Sequence, residues 1–366
     1  MDSLILQKIE AKNSIRTDMA LTTSQNNVGT KRIEYIDALR GFTMFLVVAH
    51  HISNLCFNVI GNGVPSIAHY LLQIRMPLFF FISGFVLYKA DVVWDMQQII
   101  KFFKKKIPVQ LLSPFLFFFT FVCVTHKDLV ECIFADGKAG YWFTYVLFEY
   151  FVLYAVVRFF VRNKWADVVL ILLGIGLYST RWPFLKEYIP IPDDILSLLS
   201  FEHWYLFLFF AIGTLSRKHF KAVERFLDNK WALTVCILFY FLVNALRLGR
   251  FAPHIIIFPM LSLTGLIIVF AFFRKYQASF SKATRLGRIM QYTGRRTLDI
   301  YLLHYFFIPH NLISFTLFKD HPMPILEFTA SALIAILIIA ACLLVSNIIR
   351  LSPVLAHWLF GAKKEY

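Results

Sequence analysis

Charge is scarce in this sequence. Asp, Glu, Lys and Arg make up 16% of its 366 residues, where soluble domains carry about 25%. A soluble fold of this length needs more polar surface, so the composition excludes a soluble globular protein. Cysteine is scarce too: Cys56, Cys123, Cys132, Cys236 and Cys342, none of them in a CxxC pair. These read as small hydrophobes, not as a disulfide framework or metal ligands. Residues 1–30 lack the apolar stretch of a cleaved signal peptide. No internal repeat is visible, which argues against a transporter built from inverted repeats.

What the chain has in abundance is apolar and aromatic residues, 58% and 17% of the total. A membrane-spanning helix needs about 20 mostly apolar residues. Runs of that kind fall near 36–57, 67–88, 108–125, 141–160, 167–180, 201–216, 231–248, 254–273, 297–318 and 326–350. They predict an all-α polytopic transmembrane bundle of about ten helices. Pro77, Pro259 and Pro309 sit inside apolar runs, where proline kinks a helix. Residues 1–32 read as a mobile cytoplasmic tail, 33–353 as one membrane domain and 354–366 as a short cytoplasmic tail.

The net charge of +15 raises nucleic acid as a partner, and the placement of the charges argues against it. With the N-terminus inside, 29 of the 37 basic residues fall on inner loops and ends. That asymmetry is the positive-inside pattern of loops facing anionic lipid. It predicts an N-in, C-in, multi-pass protein of the cytoplasmic membrane, with the lipid bilayer as partner and no nucleic acid.

One stretch breaks the apolar pattern. Asp37, Arg40, His50 and His51 lie in "DALRGFTMFLVVAHH". Eleven residues at 100° each bring His51 to within about 20° of Arg40, roughly 16 Å along the axis. Asp37 lies one turn earlier near the same stripe, whereas His50 is turned away by about 100°. Ionisable groups in lipid are costly and normally face a protein interior or a wet cavity. The plainer alternative is an Arg40 that snorkels to the interface and a histidine used for packing.

The same stretch resembles the first helix of the membrane-bound acyltransferase family 3, which includes O-acetyltransferases of bacterial surface polysaccharides and Nod factors. That family's hallmark is an arginine, ten residues, then a histidine, here Arg40 and His51. "RMPLFFFISGF", Arg75 to Phe85, resembles its second helix, and "LDIYLLHYF", Leu298 to Phe306, its late Tyr-Leu-Leu-His helix. The resemblance covers about residues 33 to 350 and implies acyl-CoA, acetyl-CoA first, as a co-substrate and no permanently bound cofactor. It implies a glycan or lipid-linked glycan as acceptor. The sequence departs from the family in two places. "KFFKKKIP" stands where many relatives carry paired arginines, and lysine keeps the charge without the planar fork. Arg75 stands where many carry histidine or a neutral residue. No esterase domain follows the tenth run, so transfer is expected to be completed in the membrane.

Acyl transfer to an alcohol needs a base, charge or donors for the oxyanion, and a donor held in place. Histidine suits the first need because its ordinary pKa is near 6.5, and no serine elbow or metal motif competes with His51. Arg40 and Asp37 lie at the donor end, with Lys101, Lys104 and Lys105 of a basic loop attracting the nucleotide by charge. Arg75 is a candidate for acceptor or oxyanion binding, or else an interface anchor. Glu149 and Glu202 are candidates to orient His51, or else packed acids. His304 is a further catalytic candidate through the family motif. Asp299 is expected to pair with Arg295 or Arg296. The competing reading is a secondary transporter or exporter of a small polar or glycan-related solute, with Arg40 and His51 lining the path.

Overall fold

The computed structural model describes residues 33–59, 66–90, 92–161, 163–182, 189–246, 254–309 and 317–362. The expected tail at 1–32, the last four residues, the end of the seventh apolar run and residues 310–316 of the ninth lie outside them. Among the described residues there is no strand. The helices are α1 Glu34–His51, α2 Ile67–Leu87, α3 Met96–Ile107, α4 Ser113–Val124, α5 Leu129–Phe134 and α6 Trp142–Phe160. There follow α7 Asn163–Ser179, α8 Asp193–Leu198, α9 Phe207–Lys218, α10 Phe220–Asp228, α11 Lys230–Ala245 and α12 His254–Lys275. The last are α13 Arg285–Arg295, α14 Thr297–Phe307, α15 Leu317–Asp320, α16 Pro324–Ile349 and α17 Pro353–Phe360.

Each expected apolar run contains a helix. By length and composition five stretches suffice to cross a membrane: Ile67–Leu87, Met96–Val124, Trp142–Phe160, Ile255–Lys275 and Pro324–Ile349. The pair α10 and α11, bent by 75°, makes a sixth if it is one span. The protein is therefore an all-helical, multi-pass membrane protein.

Two readings need correction. The basic stretch Lys101–Lys106 is not a loop. It lies in α3, which Asp95 caps by accepting from the Gln98 amide at 2.7 Å. A π-helical turn, Pro108–Leu112, carries α3 into α4. An amphipathic helix has no long apolar run, so a search for such runs passes over it. Pro77 and Pro259 lie inside α2 and α12, whereas Pro309 lies outside a helix, because α14 has already ended at Phe307. Proline lacks the donor that would have continued it.

The described residues from 35 to 362 form one unit with a core rich in aromatic rings. Phe80, Tyr150, Phe207 and Phe210 are completely or almost completely buried and packed ring to ring. Helices α2 and α9 approach backbone to backbone. A Cβ at Gly84 would stand 2.1 Å from the Phe210 carbonyl oxygen, and one at Gly213 equally close to that of Phe81. Only glycine permits such a crossing, the small-residue packing common in membranes.

Three polar clusters tie helix ends together. Asp299 of α14 accepts both guanidinium bonds of Arg350, at 2.8 and 2.9 Å, and the hydroxyl of Ser346 at 2.5 Å. Of its two expected partners it takes Arg296, at 3.3 Å. Asp167 pairs with Arg158 at 2.8 Å and with Lys218. Arg274 joins Asp228 at 2.9 Å and also Glu224. Asp299 and Asp167 are buried, where charges persist when paired and hydrogen-bonded in this way, whereas Asp228 is exposed.

Candidate functional site

The crossing of α1 and α13 seats Arg40. Gly41 and Gly294 bring the two backbones together, so that a Cβ on Gly294 would collide with the Asp37 carbonyl. Asp37 itself is buried at this crossing. Arg40 donates from Nη2 to the hydroxyl of Thr297 at 3.3 Å and lines a cavity of about 410 Å³. Lys89, Lys105 and Lys106 line the same cavity, with Trp94, Gln98 and Gln110 among its other walls. Lys106 lies 4.6 Å from the Phe151 ring centroid, a cation–π contact that holds its chain inward. The structure thus separates the lysines of α3. Lys101 and Lys104 are exposed and absent from the cavity wall. Lys106 and Lys89, with Lys105, line it. Asp37 does not line the cavity either.

His51 ends α1 just where the helix widens into a π turn, Ile52–Cys56. Such turns are rare and concentrate at functional sites. The Tyr305 hydroxyl lies 3.1 Å from His51 Nε2. The ring centroids of His304 and Tyr305 lie 5.3 and 5.1 Å from that of His51. His304 is completely buried. Its Nδ1 lies 2.8 Å from the Tyr301 carbonyl and 3.1 Å from that of Ile300. Carbonyl oxygens only accept, so Nδ1 carries the proton. Nε2 is then left with a lone pair, buried and without a partner.

Arg75 lies within electrostatic range of His50, His51 and Tyr305. Its Nε is buried with no hydrogen-bond partner. Among the described residues no carboxylate forms an ion pair with it. A buried guanidinium nitrogen without an acceptor is costly unless something arrives to meet it. His50, which the helical wheel turns away from the stripe, also lies beside His51, ring centroids 5.6 Å apart.

A strained turn roofs this group. Lys138, Ala139 and Gly140 all have positive φ, of 41°, 49° and 99°. Gly140 leaves room for Tyr305, whose ring carbon a Cβ there would meet at 2.2 Å. The Gly140 carbonyl accepts from the Tyr301 hydroxyl at 3.2 Å. Lys138 donates to the carbonyls of Ile133 and Ser197, at 2.8 and 3.2 Å, and burial holds its ammonium pKa below the usual value. Residues in such backbone states persist only where their surroundings hold them.

The expected carboxylate partner of His51 is not where it was sought. Glu149 accepts from the Trp204 indole at 2.8 Å, and its Oε1 is buried without a partner. Glu202 lines a separate cavity of about 380 Å³ with Asp136, Arg181 and Asp193. Among the described residues the hydrogen-bonding partner of His51 is a tyrosine, whose only sequence signal was its place next to His304. Nor is the stripe from Arg40 to His51 an open channel. Met44 and Val47 lie between them, 0% and 6% exposed, and the cavity wall does not include His51. Among the described residues no group of three or more His, Cys, Asp and Glu is placed to hold a metal ion.

A family model described as an acyltransferase domain, Acyl_transf_3, matches residues 33–346. No curated protein and no solved structure matches the chain.

Proposed function

The chain belongs to the acyltransferase 3 family, and on that premise we propose that it moves an acetyl or similar short acyl group from acyl-CoA to a hydroxyl of a cell-surface glycan or lipid-linked glycan. That it is a membrane acyltransferase, of the class transferring groups other than aminoacyl groups, follows from the family. The observation that carries the finer reading is the meeting of His51, His304 and Tyr305, with Arg75 within electrostatic range and in no ion pair among the described residues.

In this reading His51 is the general base. The Tyr305 hydroxyl, 3.1 Å from its Nε2, supports this reading: an acceptor hydroxyl that takes its place lies within hydrogen-bonding distance. The imidazole takes the proton of the acceptor hydroxyl, the oxygen bonds to the thioester carbonyl carbon, and the carbon–sulfur bond breaks. The imidazolium then returns the proton to the departing thiolate. Arg75 supplies positive charge where the oxyanion develops, and water-excluded surroundings strengthen that interaction. His304 supports the base from the adjoining helix. Glu149, already held by Trp204, presents its free oxygen to an acceptor hydroxyl instead of orienting His51.

The donor's phosphates suit the cavity at Arg40. Three lysines and an arginine border it, and phosphate is met well by charged donors. Lys105 and Arg40 act there, while Lys101 and Lys104 add a general field from the exposed face of α3. Asp37, whose backbone carbonyl lies against Gly294, is part of the α1–α13 crossing that presents Arg40. Met44 and Val47 must part for the thioester arm to reach His51.

We further read the chain as ten passes with both ends inside, in a cytoplasmic membrane. All three polar clusters support this, because each joins helix ends that this topology places on the inner side.

The test is transfer of label from radiolabelled acetyl-CoA to a glycan extract by vesicles holding the wild-type protein or His51→Ala. Loss of a general base lowers the rate by about 10²–10⁴-fold, and a drop of that size is expected. Equal labelling by the two proteins would remove His51 as the base.

A further inference from the structure

We propose that Glu327 is a positioning residue that fixes His51 and Arg75 relative to each other. The proposal rests on the reading of those two residues as base and oxyanion holder. Glu327 lies in the first turn of α16 and is 1% exposed. Among the described residues no cation forms an ion pair with it. Hydroxyls satisfy it instead. Ser53 and Ser331 donate to Oε1 at 2.5 and 2.9 Å, and Ser66 donates to Oε2 at 2.6 Å. The hydroxyls of Ser53 and Ser331 also lie 3.0 Å apart.

The three serines have different consequences. Ser331 is one turn along the same helix, so its bond is local. Ser53, completely buried, stands two residues after His51 inside the π turn. Ser66 caps α2, accepting from the Ala68 amide at 3.0 Å. Arg75 follows on that helix nine residues later, roughly 14 Å along a rigid axis. One carboxylate therefore grips the π turn that follows His51 and the helix that carries Arg75. Buried polar groups tolerate no loss of partners. The two helices consequently cannot slide or turn independently without stripping Glu327 of a donor. The π turn interrupts the regular α-helical ladder next to His51, and the Ser53 bond ties that turn to α16.

Substitution separates geometry from charge. In Glu327→Gln the amide oxygen still accepts from Ser53 and Ser331. The amide nitrogen donates to Ser66, whose oxygen has a second lone pair beside the one used by Ala68. The clamp survives without the charge. In Glu327→Ala all three links are lost.

The experiment measures transfer kinetics and amide hydrogen exchange on the full chain in lipid nanodiscs. Glu327→Ala is expected to lower kcat by about 10²-fold, the cost of misplacing reacting groups by about 1 Å. Its KM for acetyl-CoA should be unchanged, because Arg40 and the α3 lysines lie elsewhere. Exchange across residues 52–59 should quicken in Glu327→Ala. Glu327→Gln should restore most of the rate and the slow exchange. Ser53→Ala, which keeps two of the three bonds, should fall between, and it serves in place of Glu327→Ala should that variant fail to accumulate. Unchanged kcat and exchange in Glu327→Ala would overturn the proposal. So would an equal loss in the Gln and Ala variants, which would mean charge, or a joint loss of kcat and donor binding, which would mean general disruption. Exchange reads the clamp without reference to catalysis, so a wrong assignment of the reaction would leave that arm standing.

Discussion

Four lysines within six residues of α3 look equivalent in sequence, and the helix makes them unequal. Lys105 and Lys106 reach the cavity wall shared with Arg40, whereas Lys101 and Lys104 face outward. Lys106 is also held over Phe151, which spends its side-chain freedom in advance. The expected kinetic consequence is selective. Lys106→Ala should raise KM for the acyl-CoA donor by about tenfold, the equivalent of 1.4 kcal/mol, which is at the low end for one charged hydrogen bond. Lys101→Ala, an exposed charge, should change it little. Equal effects in a donor titration would show that only the summed field matters. Arg40→Ala should weaken donor use in the same assay more than it reduces the amount of protein in the membrane. Disappearance of the protein would favour an anchoring role for Arg40.

At the scale of elements, what positions the site is close approach. α2 carries Arg75 and Ser83, and Gly84 lets it lie against α9 with a carbonyl in the place of a side chain. Gly84→Ala puts a methyl group 2.1 Å from the Phe210 oxygen, where backbone and not a flexible chain must yield. Overpacking of this kind costs about 1–3 kcal/mol. The variant should unfold at lower temperature in detergent, and wild-type thermal stability would show that the crossing relaxes freely. The π turns follow the same logic. One sits after His51 and the other under Gln110, and each alters a helix where a cavity or a reactive side chain lies beside it.

For the whole molecule the question is which side each helix end faces. The polar clusters at Asp167, Arg274 and Asp299 bind together the ends where basic residues are concentrated. Charge bias and tertiary pairing thus agree on one face. In a chain stripped of its native cysteines, Val93→Cys and Lys230→Cys should react with an impermeant maleimide only from the cytoplasmic side. Lys127→Cys and Asp194→Cys, likewise at exposed positions, should react only from the opposite side. Labelling of Asp194→Cys from the cytoplasm would break the ten-pass arrangement, which needs an even number of crossings between residues 127 and 194.

The sequence by itself determined the helical class, the membrane setting and the pairing of Arg40 with His51 on one helix. These follow from local quantities: apolar run length, the distribution of basic residues and the 100° step. It also carried the family motifs that include Arg75 and His304. It could not supply Tyr305 as the partner of His51, Lys106 as a wall of the cavity, or Glu327 as the link between two helices. Those pairings join residues up to 274 positions apart, and no periodicity encodes them. Glu149 met Trp204 and not His51 for the same reason: which buried polar groups satisfy each other is decided only when every helix is packed.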